Sequence, residues 1–300
     1  MKNKRLLSNF FLFMTAFIWG IAFVSQRKGM EAVGPFTFVA SRYFLSSVFL
    51  YILLFMRKKK TAEEKQSEDK HLVIKASLCC GFCLTCGALL QQFGLVFTTA
   101  GKAAFITTMY ILLLPVIGIF FGKKCTKQTS FSVVLGAVGL YLLTMKEGFT
   151  IQRGDFVILI GAFFWAFHIL SVDHFLSKGV DPLKLSFGQM LVIFSVSFVF
   201  TFLFEKPSID GLKEAAIPII YSGIFSGGLG FTFQILGQKD AEPVVASIIM
   251  SLEAAFGAIA GAILLHEKML PKELLGSILL FSAVILSQIK LKKEDKKTSA

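Results

Sequence analysis

The stretch Pro243 to Leu265, PVVASIIMSLEAAFGAIAGAILL, is apolar for over twenty residues and carries one carboxylate, Glu253, in its middle. A helix of about 20 apolar residues crosses a bilayer. An ionised group at its centre costs roughly 2.5 to 3.5 kcal/mol on insertion scales unless it is protonated, paired or facing water. Two chemistries use such a group: exchange of a proton or cation, and pairing with the ammonium of a bound solute. A protonated carboxyl, packed or paired with a nearby serine such as Ser247 or Ser251, is the structural alternative. His168 is the second candidate for proton exchange, because imidazole changes charge near neutral pH; its alternative is a neutral ring bonded to a neighbouring helix. Trp19 and Trp165 lie in the middle of apolar stretches, although tryptophan favours membrane interfaces. They either line a cavity or anchor the packing. Gln92 and Gln234 gate or bind solute, or join helices by hydrogen bonds. Tyr110, Thr107 and Thr108 are candidate polar wall residues.

Such side chains need a membrane frame. Of the 300 residues 55% are hydrophobic, with mean hydropathy +0.71, more apolar surface than a soluble domain can hide. Ten stretches are candidate spans: 9–26, 36–56, 72–96, 102–121, 130–145, 155–174, 183–204, 216–236, 243–265 and 272–290. Most connections are short, and none is large enough for a soluble catalytic domain. The basic start Met1 to Arg5 before an apolar run resembles a signal peptide, but no small-residue cleavage site follows and Trp19-Gly20 interrupt the run. We therefore read it as a retained span.

The net charge of +12 does not indicate nucleic acid, because its distribution follows the membrane. With the amino terminus in the cytoplasm, the inner segments carry 20 Lys and Arg and the outer segments 9. That bias places both termini inside, with Arg57–Lys60 and Lys290–Lys297 as solvated topology anchors.

The chain also repeats. Trp19 in AFIWGIAF matches Trp165 in AFFWAFHI, and Gly34-Pro35 matches Asp181-Pro182. Arg42 then falls opposite Gln189, Gln92 opposite Gln234, and Leu135-Gly136 opposite Leu275-Gly276. Two units of five spans result, residues 1–147 and 148–290, followed by a basic tail 291–300. Because five is odd, the second unit enters the membrane inverted, the arrangement in which secondary transporters bind solute between repeats near mid-depth. Glu253 has no acidic mate; its counterpart region lies around Leu114-Pro115.

The runs WGIAFVSQRKG (19–29), GPFTFVASRYFL (34–45), GLVFTTAGKAAFITT (94–108), FWAFHILSVDHF (164–175), SGGLGFTFQILGQKDA (226–241), SIIMSLEAAFGA (247–258) and LLHEKMLPKELLG (264–276) resemble the EamA family of the drug/metabolite transporter superfamily. The resemblance covers nearly the whole chain and implies a ten-helix basket. Helices one, three, four, six, eight and nine would surround a central cavity, with five and ten at the periphery. It departs from the family in one place: Glu253-Ala254 stands where Glu-Pro is common, so a straighter ninth helix is expected.

The small residues Ser222, Gly223, Ser226, Gly227, Gly228 and Gly230 predict close helix packing or a hinge in span eight. Pro115 predicts a kink in span four. Arg42, near the outer end of span two, is expected to snorkel or pair away from the cavity, and Lys102 likewise. Asp173 and His174 are expected at the interface. Cys80, Cys83 and Cys86 have an iron–sulfur-like spacing, but sit in an apolar helix without the expected fourth ligand, and read as packing residues. No nucleotide-binding or hydrolase motif occurs.

The expected fold is thus an all-α integral membrane protein of ten transmembrane helices in two inverted repeats. The expected function is a secondary transporter, by resemblance an exporter, of small organic metabolites such as amino acids or amines. A nucleotide-sugar or lipid-linked sugar carrier, and a membrane sensor or assembly protein without transport, are the alternatives. The expected partners are a small-molecule substrate, protons and the lipid bilayer, with a homodimer left open, in a bacterial cell membrane; no enzyme activity, metal, cofactor or nucleic acid is expected.

Overall fold

The computed structural model describes residues 2–57, 69–98, 100–120, 122, 126–144, 153–264 and 270–288. The join between the repeats near 146–152, the basic stretch after Arg57, the Lys290–Lys297 tail and the side chain of Lys102 lie outside that set. Among the described residues the protein is helical throughout, with no strand. The helices are α1 (Lys2–Gly29), α2 (Pro35–Met56), α3 (Lys70–Gly94), α4 (Ala100–Thr108), α5 (Tyr110–Phe120), α6 (Lys127–Thr144), α7 (Arg153–Ser177), α8 (Pro182–Phe204), α9 (Ile209–Glu214), α10 (Ala216–Ile220), α11 (Phe231–Gln238), α12 (Pro243–Met250), α13 (Leu252–Leu264) and α14 (Pro271–Gln288). A π-helical segment, Tyr221–Gly230, joins α10 to α11.

Local chemistry explains the starts. Pro35, Pro182 and Pro243 open α2, α8 and α12, where a missing N–H removes nothing the helix could use. Asp69 caps α3 by accepting from the His71 and Leu72 amides, and Asp181 caps α8 through Leu183 and Lys184, the usual role of a short carboxylate at this position.

The ten stretches of the sequence correspond to eight helical segments that are long and apolar enough to cross a membrane among the described residues. The fifth and tenth, α6 and α14, fall short by length or apolarity over the residues described and pack against each other. A Cβ on Gly276 would lie 2.5 Å from the Gly139 carbonyl, and one on Gly139 would lie 2.8 Å from the Gly276 carbonyl. The pair runs antiparallel, since Gln128 near the start of α6 donates to the Leu286 carbonyl near the end of α14.

A second pair of repeat mates, α2 and α8, is antiparallel too. At one end the Glu205 carboxylate accepts from the Phe36 and Thr37 amides and the Thr37 hydroxyl (2.9, 2.8 and 2.5 Å). At the other end Arg57 Nη1 meets both oxygens of Asp181 at 2.7 and 2.9 Å. Opposite running of mates is what an inverted second unit requires. The described chain ends share one face, where Arg5 and Asn9 donate to Gln288.

The core lies between the repeats, where α3 packs on α7 and α8, and α1 packs on α13. Large apolar side chains such as Phe55, Phe120, Ile217 and Phe202 are exposed instead, as a lipid-facing rim demands. Span eight packs closely, as its small residues predict. A Cβ on Gly223 would lie 2.8 Å from the Arg42 carbonyl, and Gly227 and Gly228 abut Ser46 and Phe49. α1 is stitched along this span: Ser8 donates to the Gly237 carbonyl (2.5 Å), Thr15 to Gly230 (3.1 Å), Trp19 Nε1 to Ser226 (3.2 Å) and Ser25 to Pro218 (3.0 Å). These bonds occupy carbonyls that a regular α-helix would use internally, and in hydrocarbon such groups need partners.

Candidate functional site

Two spans are interrupted at mid-depth. The fourth breaks at Met109, between α4 and α5, and the ninth at Ser251, between α12 and α13. The interruption of span four precedes Pro115, which lies inside α5. In span nine Ser251 donates its hydroxyl to the Ile248 carbonyl (2.7 Å), and Ser247 does the same to Val244 (2.7 Å). Serine back-bonding of this kind competes with the helical ladder and bends it. Met109 and Ser251 are 142 residues apart, the same offset as Gln92 and Gln234. By that offset Ile111, rather than Leu114, stands opposite Glu253.

The residues following the two breaks meet. Tyr110 donates its hydroxyl to Glu253 Oε1 at 3.2 Å, and both side chains are almost fully buried. They line a central cavity of about 40 Å³ together with Trp19, Trp165, Gln91, Arg42, Tyr43, Thr107 and Phe231. The two tryptophans, matched by the repeat, come together with ring centroids 6.3 Å apart. Phe231 completes the cluster at 4.7 Å from Trp19 and 6.1 Å from Trp165. Trp19 reaches the cavity because Ser226 accepts from its Nε1 and because Gly230 leaves room for the indole.

Five of the candidates therefore share this cavity: Trp19, Thr107, Tyr110, Trp165 and Glu253. The others do not line it. His168 is fully buried behind the cluster, with Nε2 2.9 Å from Gln189 Oε1 and its ring edge-on to Trp165 and Phe231; its Nδ1 has no partner. Ser251 serves the break. Gln92 is turned away and donates to Met30 Sδ at 2.8 Å. Gln234 is buried, its Oε1 without a partner. Neighbouring glutamines take the positions expected of these two. Gln91 lines the cavity and accepts from Trp165 Nε1 (3.2 Å). Gln238 lines a second recess, of about 610 Å³, with Leu114, Leu170, Asp173 and Glu242, at the face that carries the chain ends. Successive helical residues point about 100° apart, so a repeat match finds the turn and not the face.

Arg42 is the main residue missed. It is 5% exposed and lines the central cavity, neither snorkelling nor meeting a carboxylate in an ion pair among the described residues. The cause is span eight: Gly223 and Gly227 admit α2 so closely that Ser46 donates to the Gly223 carbonyl (2.7 Å), leaving residue 42 on the cavity side. Clusters of Gly and Ser opposite a basic residue were the available signal. Among the four described cysteines, all free, Cys80 and Cys83 are buried, Cys86 is half-buried and Cys79 is exposed. Among the described residues no three His, Cys, Asp or Glu side chains converge as a metal site.

The sequence profile described as the EamA-like transporter family matches residues 6–145 and 152–288, one match for each repeat. An uncharacterized transporter of Archaeoglobus fulgidus is 27% identical over 289 residues, covering 96% of this chain and 88% of its own length. The uncharacterized transporter YoaV of Bacillus subtilis is 24% identical over 279 residues, covering 90% and 92%. A solved structure titled only as that of a protein superposes with a TM-score of 0.79 at 14% identity, over 94% of this chain and 96% of that one, a likeness of fold.

Proposed function

We propose, for a chain that belongs to the EamA-like transporter family, that it exports small organic metabolites, amino acids or amines, across the cell membrane by alternating access, with both termini in the cytoplasm. The observation that carries this reading is the meeting of Tyr110 and Glu253. Each follows a one-residue irregularity in a long apolar helix, one in each repeat, and both line one cavity. Broken helices at mid-depth free backbone and side-chain groups for a solute, and repeats that move against one another alternate its access.

In this reading Glu253 exchanges a proton or the ammonium of a solute, and the Tyr110 hydroxyl steadies the carboxyl between those states. The aromatic cluster of Trp19, Trp165 and Phe231 supplies the apolar walls that a small-molecule site needs. A cavity of about 40 Å³ has room for about one or two waters. Solute entry therefore requires these walls to part, and the gating motion and the binding site share residues.

The test is flux by purified protein in liposomes against a metabolite panel, with and without a pH gradient. Glu253→Gln is expected to abolish pH-driven flux and to leave solute exchange measurable. Full proton-driven flux in Glu253→Gln refutes the coupling role.

A further inference from the structure

Arg42 is the group in the central cavity that the proposed transport chemistry leaves unused. Its guanidinium lies 4.6 Å from the Tyr43 ring centroid and 5.9 Å from that of Phe38. Nη2 donates to the Tyr43 hydroxyl at 3.1 Å. Nε is buried and has no partner. A guanidinium cannot shed its charge in a protein, and a buried cation without an anion is strongly unfavourable. Ring faces and a phenol offset only part of that. Glu253 borders the same cavity, but it is engaged by Tyr110 and forms no ion pair with Arg42.

Beside the unpartnered Nε the guanidinium carries further N–H donors in a planar fork. Such a fork matches two oxygens of a planar carboxylate and gives shorter, stronger bonds than neutral donors do. We infer that Arg42 binds the carboxylate of the transported solute, so that the site takes amphoteric molecules: carboxylate on Arg42 from α2, ammonium or proton on Glu253 from α13. The solute itself supplies the missing counter-ion, and the empty site carries an uncompensated charge. This inference rests on the central cavity being the solute site. It adds a discrimination that Glu253 alone lacks, since an amine without a carboxyl leaves Arg42 unpaired.

The experiment is thermal melting of the purified protein with free amino acids, the matching amino-acid amides and the matching decarboxylated amines. We expect at least one acid to stabilise the native protein, with its amide and amine at least about tenfold weaker, because a site built to pair a group rejects the analogue lacking it. Arg42→Met is expected to melt at or above the native temperature without ligand and to lose the preference for the acid. Arg42→Lys, which keeps the charge but not the fork, is expected to fold normally and bind the acid more weakly. The inference is overturned if no acid in the panel stabilises the native protein, if amide and acid bind equally, if Arg42→Met keeps the native preference, or if Arg42→Lys binds the acid as tightly as the native protein. Liposome flux separates this from the transport reading. Arg42-dependent binding without flux defeats transport alone, whereas flux of the acid with Arg42→Met unimpaired defeats the role of Arg42 alone.

Discussion

Gly20 sets how close α1 comes to the Glu253 helix, and replacing it with alanine tests whether that distance governs the site. A Cβ at residue 20 would lie 2.5 Å from Phe256 Cβ, 2.7 Å from the Glu253 carbonyl oxygen and 2.8 Å from the Gly257 nitrogen. Two of these are backbone atoms of α13, so no rotamer change relieves the clash. Ordinary contact begins near 3.4 Å, and α1 and α13 must part by most of an ångström. Overpacking of this kind costs about 1–3 kcal/mol. The same displacement carries the 3.2 Å bond between Tyr110 and Glu253 to or beyond the limit of a hydrogen bond, and leaving a buried polar group unpaired costs about 1–3 kcal/mol more. Gly257 is the internal control at the same crossing: its Cβ would meet the Gly20 carbonyl at 3.4 Å, and alanine there gains up to about 1 kcal/mol of helix propensity. Melting in detergent and flux in liposomes read both effects. Gly20→Ala should melt several degrees lower and transport about tenfold more slowly or worse, 1.4 kcal/mol being a factor of ten. Gly257→Ala should be near native. The reasoning fails if Gly20→Ala behaves as native, or if the two alanines are equally harmful.

Two further outcomes concern the ends of helices. The amino-terminal cap of α2 comes from Glu205, because Gly34 has no side chain to offer; Glu205→Ala should lower stability by about 1–2 kcal/mol, with Glu205→Gln intermediate, and an unchanged melting curve for both would show the cap to be idle. Gly179 has φ +84° with open space around its Cα, and closes α7 with the Val180 amide on the Phe175 carbonyl and the Gly179 amide on Leu176. Gly179→Ala should therefore cost about 1–2 kcal/mol through backbone strain alone and leave solute affinity untouched, which melting and ligand titration together decide.

The apolar stretches, the repeat and the isolated carboxylate at residue 253 are all properties of residues taken one after another along the chain. A bilayer requires each span to satisfy its own backbone, so length and hydropathy reveal spans before any packing is known. The match of Trp19 with Trp165 was legible in the repeat, whereas their meeting at 6.3 Å came only with the packing. The direction of a side chain around its helix is a different quantity. It depends on helical phase, which the breaks at Met109 and Ser251 and the π-helical Tyr221–Gly230 segment all reset. On the uninterrupted α3 adjacent residues already point about 100° apart, so Gln91 faces the cavity and Gln92 does not; Gln238 lies one turn beyond Gln234 and lines the recess through its depth along α11. Arg42 shows the deeper limit. Tyr43 and Phe38 of span two hold its guanidinium, but it comes to the cavity because glycines at 223 and 227 in the other repeat let α2 approach. Sequence determined that this protein is a membrane bundle with an acid at its centre. Only the packing of one repeat against the other decided that a cation shares that cavity, because close approach depends on the shapes of both surfaces at once.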